Sequence, residues 1–249
     1  MNAAAKSLSI ASVAALGGFL FGFDTAVING AISALTARFE ASPAATGVAV
    51  SAALIGCAAG AYLSGGLADR LGRRRTMTIA AVLFLVSAIL SGACVSLYDL
   101  SVWRVLGGIA VGVASVVVPA YIAEIAPARI RGRLGSMQQL AIVFGIFVAL
   151  VTDYALARAA GSASGELWFG VSAWRWMFIS GAVPALVYGA GVLLIPESPR
   201  WLVAKGREDE ARVVLRSLGE DADAKVDEIR RTQQTEVPVR LRDLPIFGR

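Results

Sequence analysis

Two residues of opposite charge interrupt long apolar runs of this sequence, where charged side chains are rare. Asp24 lies within the run at 9–35, and Arg104 lies just inside the run at 101–123. If these runs cross a membrane, each charge near the bilayer centre costs at least ~2.5–3.5 kcal/mol. We therefore expect both side chains to face the protein interior, where they pair or line a water-filled cavity.

The Asp24–Arg104 pair has two interpretations. It is either a structural ion pair or a switch in which protonation of the carboxylate is coupled to movement of a solute. An aspartate that pairs with arginine in one conformation and not in another changes its pKa between the two. The sequence contains no histidine, so proton chemistry would depend on carboxylates.

Three further polar residues lie in the run at 134–156. Gln138 and Gln139 lie in its inner half, where buried amides need hydrogen-bond partners. Those partners are either amides of other helices or the hydroxyl groups of a bound solute. Asp153 lies near the end of the run and is a weaker candidate, which we expect at the outer membrane interface.

Composition predicts the elements that position these residues. The chain has 249 residues, of which 57% are hydrophobic and only 16% charged, whereas soluble domains carry about 25% charged residues. Each apolar run is near the ~20 residues that a membrane-spanning helix needs. The sequence therefore predicts an all-α integral membrane protein. Its six spans are predicted at 9–35, 46–68, 76–97, 101–123, 134–156 and 173–195.

The connections between these runs alternate in charge. Arginine is frequent at 69–75, at 125–133 and after 196, whereas the connections at 36–45, 98–100 and 157–172 have few basic residues. The positive-inside rule then predicts a multi-pass protein of the cell membrane with both termini cytoplasmic. The net charge of +5 is explained by basic loops facing anionic lipid, so we expect no nucleic-acid partner.

Small residues repeat four apart inside the runs and predict close helix contacts. They are Gly18 with Gly22, Gly56 with Gly60, and Gly108 with Gly112.

The sequence divides into a membrane bundle over 1–196 and a cytoplasmic helical segment over 197–249. Ser198 and Pro199 form a good helix start, with serine as the N-cap. We predict one helix over 199–217, a break at Gly219 and a second helix over 221–234.

Enzyme chemistry is not expected. Cys57 and Cys94 both lie in apolar runs, which is typical of small core residues and not of a disulfide framework or a metal site. The glycines at 65, 66 and 72 lack the following Lys-Ser/Thr of a phosphate-binding loop. No nucleophile–base pair is evident.

Five motifs, in order, resemble the sugar-porter family of the major facilitator superfamily. They are Gly65 to Arg75, Arg104 to Gly108, Tyr121 to Pro127 with Arg129 to Gly132 after it, Trp174 to Phe178, and Pro196 to Leu202. The resemblance covers nearly the whole chain but only the first half of the family's pattern. It implies the N-terminal half of a twelve-helix fold with a 3+3 repeat, which would need the missing six-helix C-terminal half as a partner.

The resemblance also implies roles for single residues. Asp24 matches the proton-coupling aspartate of bacterial proton/sugar symporters of the xylose type, where facilitators tend to have a neutral residue. Arg104 matches its partner. Phe21 and Gln139 match positions lining the sugar site, to which we add Gln138. Ile146 stands where the family has a second glutamine, which removes a polar contact. The coupling ion would be a proton, and no other cofactor is expected.

A cytoplasmic gate is the remaining implication. Six charged residues match a network that latches the two halves together: Asp69, Arg73, Glu124, Arg131, Glu197 and Arg200. The alternative is that these charges only set membrane topology, since each exposed pair contributes under ~1 kcal/mol.

The leading functional hypothesis is secondary active transport of a monosaccharide by alternating access, with proton symport. One alternative is a facilitator or a carrier of a polyol or another organic solute, with Asp24 structural. A second alternative is a non-transporting sensor or assembly partner. The half-length pattern fits a fragment, a split transporter or a homodimer, and we rank the homodimer last because it lacks the second half's ligands.

Overall fold

The computed structural model describes residues 3–127 and 129–235 and is helical along most of that length. Six helical segments are long and apolar enough to cross a membrane, by length and composition. They are Ala5–Arg38, Pro43–Leu71, Arg73–Ala93, Leu97–Ile125, Gly132–Ala159 and Ala173–Leu194. The prediction of six spans is therefore confirmed, with most ends lying a few residues beyond those predicted.

The chain forms ten α-helices in the part that the structure describes. They are α1 (Ala3–Arg38), α2 (Pro43–Leu71), α3 (Arg73–Ala93), α4 (Leu97–Ile125), α5 (Arg131–Ala159), α6 (Ala173–Ser180), α7 (Ala182–Leu194), α8 (Pro199–Ala204), α9 (Glu208–Ser217) and α10 (Ala222–Thr235).

The sixth span is two helices and not the continuous one that the sequence predicts. α6 ends at Ser180 and α7 begins at Ala182. Pro184 lies in the first turn of α7 and has no N–H to donate to the preceding turn, which favours a break there. The two helices continue in the same span, so its place in the bundle is unchanged.

Three connections form one end of the bundle, which we call the arginine-rich end. They are Gly72, residues 126–127 with 129–130, and residues 195–198. The predicted loop at 69–75 is far shorter in the structure, because α2 ends at Leu71 and α3 begins at Arg73. Gly72 makes this turn with φ of 94°, a conformation that favours glycine. A Cβ there would also collide with the Glu197 carboxylate.

Glycines allow the closest helix contacts, as predicted. A Cβ at Gly56 or Gly60 of α2, or at Gly108 or Gly112 of α4, would strike backbone of the other helix. The same holds between α1 and α5, where a Cβ at Gly22 would strike the Ile142 carbonyl. Small residues of this kind bring helix backbones together in membrane bundles.

α1 and α4 are the inner helices of the bundle. In their most apolar stretches 61% of residues are buried, against 28% for α2 and 17% for α5. α2 and α5 instead leave large apolar side chains such as Ile55 and Phe147 exposed. A polar group on the facing sides of α1 and α4 is therefore enclosed by protein.

The segment after 196 differs in part from the prediction. The single helix predicted over 199–217 is wrong, because Gly206 adopts φ of 73° and separates α8 from α9. The break at Gly219 and the following helix are confirmed. The Ser198 N-cap is also confirmed, since its hydroxyl accepts the Trp201 N–H at 3.3 Å. Residues 236–249 of the predicted cytoplasmic segment lie outside the described residues.

Candidate functional site

Asp24 and Arg104 meet between α1 and α4, as expected from the sequence. One guanidinium nitrogen of Arg104 lies 2.8 Å from Asp24 Oδ1, and the other donates to the Asp24 backbone carbonyl at 3.1 Å. The side chains are 2% and 14% exposed for Arg104 and Asp24. Each charge is thus neutralised by the other, which offsets the cost of removing both from water.

The pair is incompletely satisfied. Asp24 Oδ2 and Arg104 Nε are buried and have no hydrogen-bond partner among the residues that the structure describes. A small cavity of about 10 Å³ lies against Asp24 and is also lined by Ser91 and Phe178, a volume close to that of one water-sized probe. The Ser91 hydroxyl has no partner either. The free carboxylate oxygen is therefore an atom that can accept a proton without first breaking the bond to Arg104.

The two glutamines of α5 share a cavity with α1, as expected. Phe21, Gln138 and Gln139 line a space of about 300 Å³, together with Ser115 of α4. This volume is at the lower end of the range for small-molecule sites. Neither amide side chain hydrogen-bonds to another described residue, so interhelical amide bonding is not what the structure shows. The amides are open to a ligand.

Ile146 lies two turns further along α5 than Gln139. Its side chain is exposed, and it does not line the cavity.

At the arginine-rich end, Arg73 connects three helices. Its guanidinium contacts Glu124 of α4 at 3.1 Å and Asp69 of α2 at 3.3 Å. Arg73 and Glu124 side chains are 15% and 12% exposed, whereas Asp69 is 75% exposed. The Arg73–Glu124 contact is therefore the partly buried pair, and the Asp69 contact is screened by solvent.

Glu197, which the resemblance places in the charge network, hydrogen-bonds to backbone groups at this end. Its carboxylate accepts the backbone N–H groups of Arg73 at 2.9 Å, Arg74 at 3.2 Å and Ser198 at 2.8 Å. The first turn of a helix leaves N–H groups without intrahelical partners. Glu197 therefore caps α3 from the chain that follows α7.

The six residues of the expected gate are only partly brought together. Asp69, Arg73, Glu124 and Glu197 form one cluster, and Arg200 lines a cleft with Glu124. The side chain of Arg131 lies outside the described residues. The contacts join helices of this chain, so a latch between two halves stays a prediction.

Sequence reasoning missed two contacts that stabilise this end. The Tyr121 hydroxyl donates to the Pro196 carbonyl at 2.7 Å, and Trp201 Nε1 donates to the Asp69 carbonyl at 3.1 Å. Tyrosine and tryptophan carry a polar atom on an apolar body and usually bond when buried. The sequence signal for these contacts was that Tyr121 and Trp201 both lie in motifs that carry the family resemblance.

Asp153, near the end of α5, is 4% exposed and lies against Gly30 of α1. Its expected place at the outer membrane interface stays a prediction. No group of three or more cysteine, aspartate or glutamate residues in the described part of the chain could hold a metal ion. Cys57 and Cys94 are free thiols.

Comparison with known proteins decides the family. A family model described as "Sugar (and other) transporter" matches residues 10–242. The chain belongs to this family. It is 53% identical over 239 residues to the glucose transport protein of a Synechocystis species, which covers 95% of this chain and 51% of that protein. It is 40% identical over 236 residues to the D-xylose-proton symporter of Escherichia coli, covering 84% of this chain and 47% of the symporter.

Solved structures agree with this assignment. The proton:xylose symporter XylE bound to 6-bromo-6-deoxy-D-glucose superposes with a TM-score of 0.87 at 38% identity, covering 94% of this chain and 54% of that one. An inward-open structure of XylE from E. coli gives a TM-score of 0.81 at 37% identity. The predicted major facilitator fold is therefore confirmed. The chain spans about half the length of the curated relatives it matches.

Proposed function

We propose that this chain is the N-terminal half of a proton-coupled monosaccharide transporter of the cell membrane. Sugar transport is supported by the family and by relatives named for glucose, xylose and arabinose. Proton coupling rests on one observation, which is the enclosed Asp24–Arg104 pair with a carboxylate oxygen left free.

The pair supplies a mechanism for coupling. While Asp24 is ionised, its bond to Arg104 holds α1 against α4. Protonation of Oδ2 removes the negative charge and weakens the 2.8 Å contact, which frees α1 to move relative to α4. A sugar bound beside Phe21 and the two glutamines contacts α1 and α5, so it acts on the same helix. Proton and sugar thereby favour the same rearrangement.

A six-helix half would form one side of the transport path. The family's alternating access is rocking of two halves about a site between them. We propose that the second half supplies the remaining sugar contacts and closes the 300 Å³ cavity. The arginine-rich end and both chain termini are then cytoplasmic, in agreement with the charge of the loops.

The test uses Asp24→Asn in the natural protein with both halves present. We expect loss of uphill sugar accumulation driven by a proton gradient, with sugar exchange across the membrane retained. Asp209→Asn is the matched control, because it removes a fully exposed carboxylate of α9 and should keep both activities. Accumulation that survives in Asp24→Asn contradicts coupling through this residue.

A facilitator is the second candidate, which stays open because Ile146 stands where the resemblance leads us to expect a second glutamine. It predicts that the wild-type protein only equilibrates sugar, whatever the proton gradient. A wild-type protein that equilibrates but never accumulates would establish this candidate.

A further inference from the structure

Asp153 is a buried acid on the contact surface between α1 and α5, which we call the α1–α5 seam. Its residue is 4% exposed. A Cβ built on Gly30 of α1 would lie 2.6 Å from the Asp153 Cβ, Cγ and Oδ2 atoms. The carboxyl group therefore lies directly on the α1 backbone, at a place where only glycine leaves room for it.

Neither oxygen of Asp153 has a hydrogen-bond partner, and no cation lies within ion-pair distance of it among the described residues. Arg104 is engaged with Asp24. Arg175 of α6 donates to the Gly92 carbonyl, and Arg158 of α5 donates to the Tyr154 hydroxyl. Other ionisable groups on the helices packed against α5 are Lys6, Arg38, Asp99 and Glu124.

An ionised carboxylate is disfavoured in such a site. An isolated charge moved from water to a low-dielectric interior costs so much that the group neutralises instead. We propose that Asp153 is a proton-binding site that keeps the α1–α5 seam closed. With its proton bound, the side chain is a neutral acid and the seam packs tightly. Loss of the proton leaves an uncompensated charge, which only water entering an opened seam can solvate.

Close backbone contacts along the rest of the α1–α5 seam keep water away from Asp153. A Cβ at Gly18 would lie 2.9 Å from the Gln138 carbonyl oxygen, and one at Gly22 or Gly145 would collide with backbone of the facing helix. The two backbones are therefore in contact along several turns. Asp153 cannot be hydrated without separating them, so its protonation and the closure of the seam are linked.

This proposal does not rest on proton–sugar coupling. Asp153 binds its proton through burial and the absence of a cation, whereas Asp24 is held by Arg104. The proton on Asp153 is a resident one, and we expect sugar binding to leave it in place.

Infrared spectroscopy of the natural protein in lipid nanodiscs tests the proton directly. The carbonyl stretch of a protonated carboxylic acid should be present at neutral pH in the wild type. It should be absent in Asp153→Asn, and retained in Asp69→Asn, in which an exposed carboxylate is removed. A wild-type spectrum with the same carbonyl region as Asp153→Asn overturns the proposal.

Hydrogen exchange tests the link to the seam. We expect the amides of α1 and α5 near Gly30 and Asp153 to exchange faster in the wild type as pH rises, after correction for the intrinsic rate. Asp153→Asn has no proton to lose and should show no such increase, while keeping the wild-type exchange pattern at neutral pH. Equal alkaline acceleration in both proteins contradicts the link, because a merely structural side chain would not separate them.

Discussion

Two buried carboxyl groups lie at the surface of α1, one paired with a cation and the other without one among the described residues. Asp24 meets Arg104 at 2.8 Å between α1 and α4. Asp153 meets the backbone of Gly30 and no cation. A buried charge is tolerated when it is paired, and is otherwise removed by protonation. The first arrangement can switch when the helices move, whereas the second keeps its proton until the helices separate.

The difference follows from the residues that face each acid. α4 supplies an arginine long enough to reach Asp24 of α1. α5 instead brings its acid so close to α1 that no basic side chain fits between them. The distance between helix backbones therefore decides whether a buried acid can pair with a basic side chain or is neutralised by a proton.

The largest expected effect comes from removing the cation. Arg104→Met leaves Asp24 enclosed without a partner, and breaking a buried pair from one side costs about 3–5 kcal/mol. The free energy of unfolding in detergent measures this loss. The double variant Asp24→Asn with Arg104→Met leaves no charge and should recover part of the stability. Wild-type stability in Arg104→Met alone would show that the pair is not enclosed.

Crowding the second acid should cost less. Gly30→Ala places a methyl group 2.6 Å from Asp153 atoms, and overpacking of this kind costs roughly 1–3 kcal/mol. Gly47→Ala is the matched control, because nothing lies within 4 Å of its added Cβ and alanine favours helix by up to about 1 kcal/mol. Thermal unfolding of the two variants compares them. Equal midpoints would mean that the seam is open at Gly30.

Removing the second acid should cost least among the buried changes. Asp153→Asn replaces a neutral acid by an amide of the same shape, so we expect the stability at neutral pH to change by less than about 1 kcal/mol. A loss as large as that of Arg104→Met would indicate a hidden cation and an ionised Asp153.

An ion pair on the surface should depend on pH in the opposite sense to the α1–α5 seam. Hydrogen bonds from Arg230 and Arg212 lower the pKa of the Glu208 carboxyl. A lowered pKa in the folded state means that this contact between α9 and α10 stabilises the fold at neutral pH and is lost as pH falls through that pKa. Proteolysis near α10 should therefore increase in acid, and Glu208→Gln should show less dependence on pH. The seam at Asp153 should instead loosen in alkali.

Much of this contrast could be predicted from the sequence. Apolar run length located all six spans, and the cost of lone charges predicted that Asp24 and Arg104 meet. For Gln138 and Gln139 the sequence leaves two kinds of partner open, other amides or a bound solute, and only the resemblance gives Phe21 and Gln139 a place at a sugar site. Such predictions succeed because they need only the sequence of a single helix or one large energetic cost, that of an unpaired charge in the membrane.

The features that the sequence did not predict depend on how helices pack against one another, which the pattern of apolar residues does not determine. The sequence does not show that Asp153 lies against Gly30 of α1. The resemblance assigns Glu197 to a charge network but does not show that the turn at Gly72 aims the backbone N–H groups of α3 at its carboxylate. The break at Gly206 depends on how α8 and α9 pack, which helix propensity alone does not determine.

The most direct test of the contrast is proton uptake by the natural protein reconstituted in liposomes, recorded as the external pH when sugar is added. We predict uptake in the wild type and in Asp153→Asn, and none in Asp24→Asn. Sugar-induced uptake that persists in Asp24→Asn and disappears in Asp153→Asn would contradict the assignment, because the unpaired acid would then be the coupling residue.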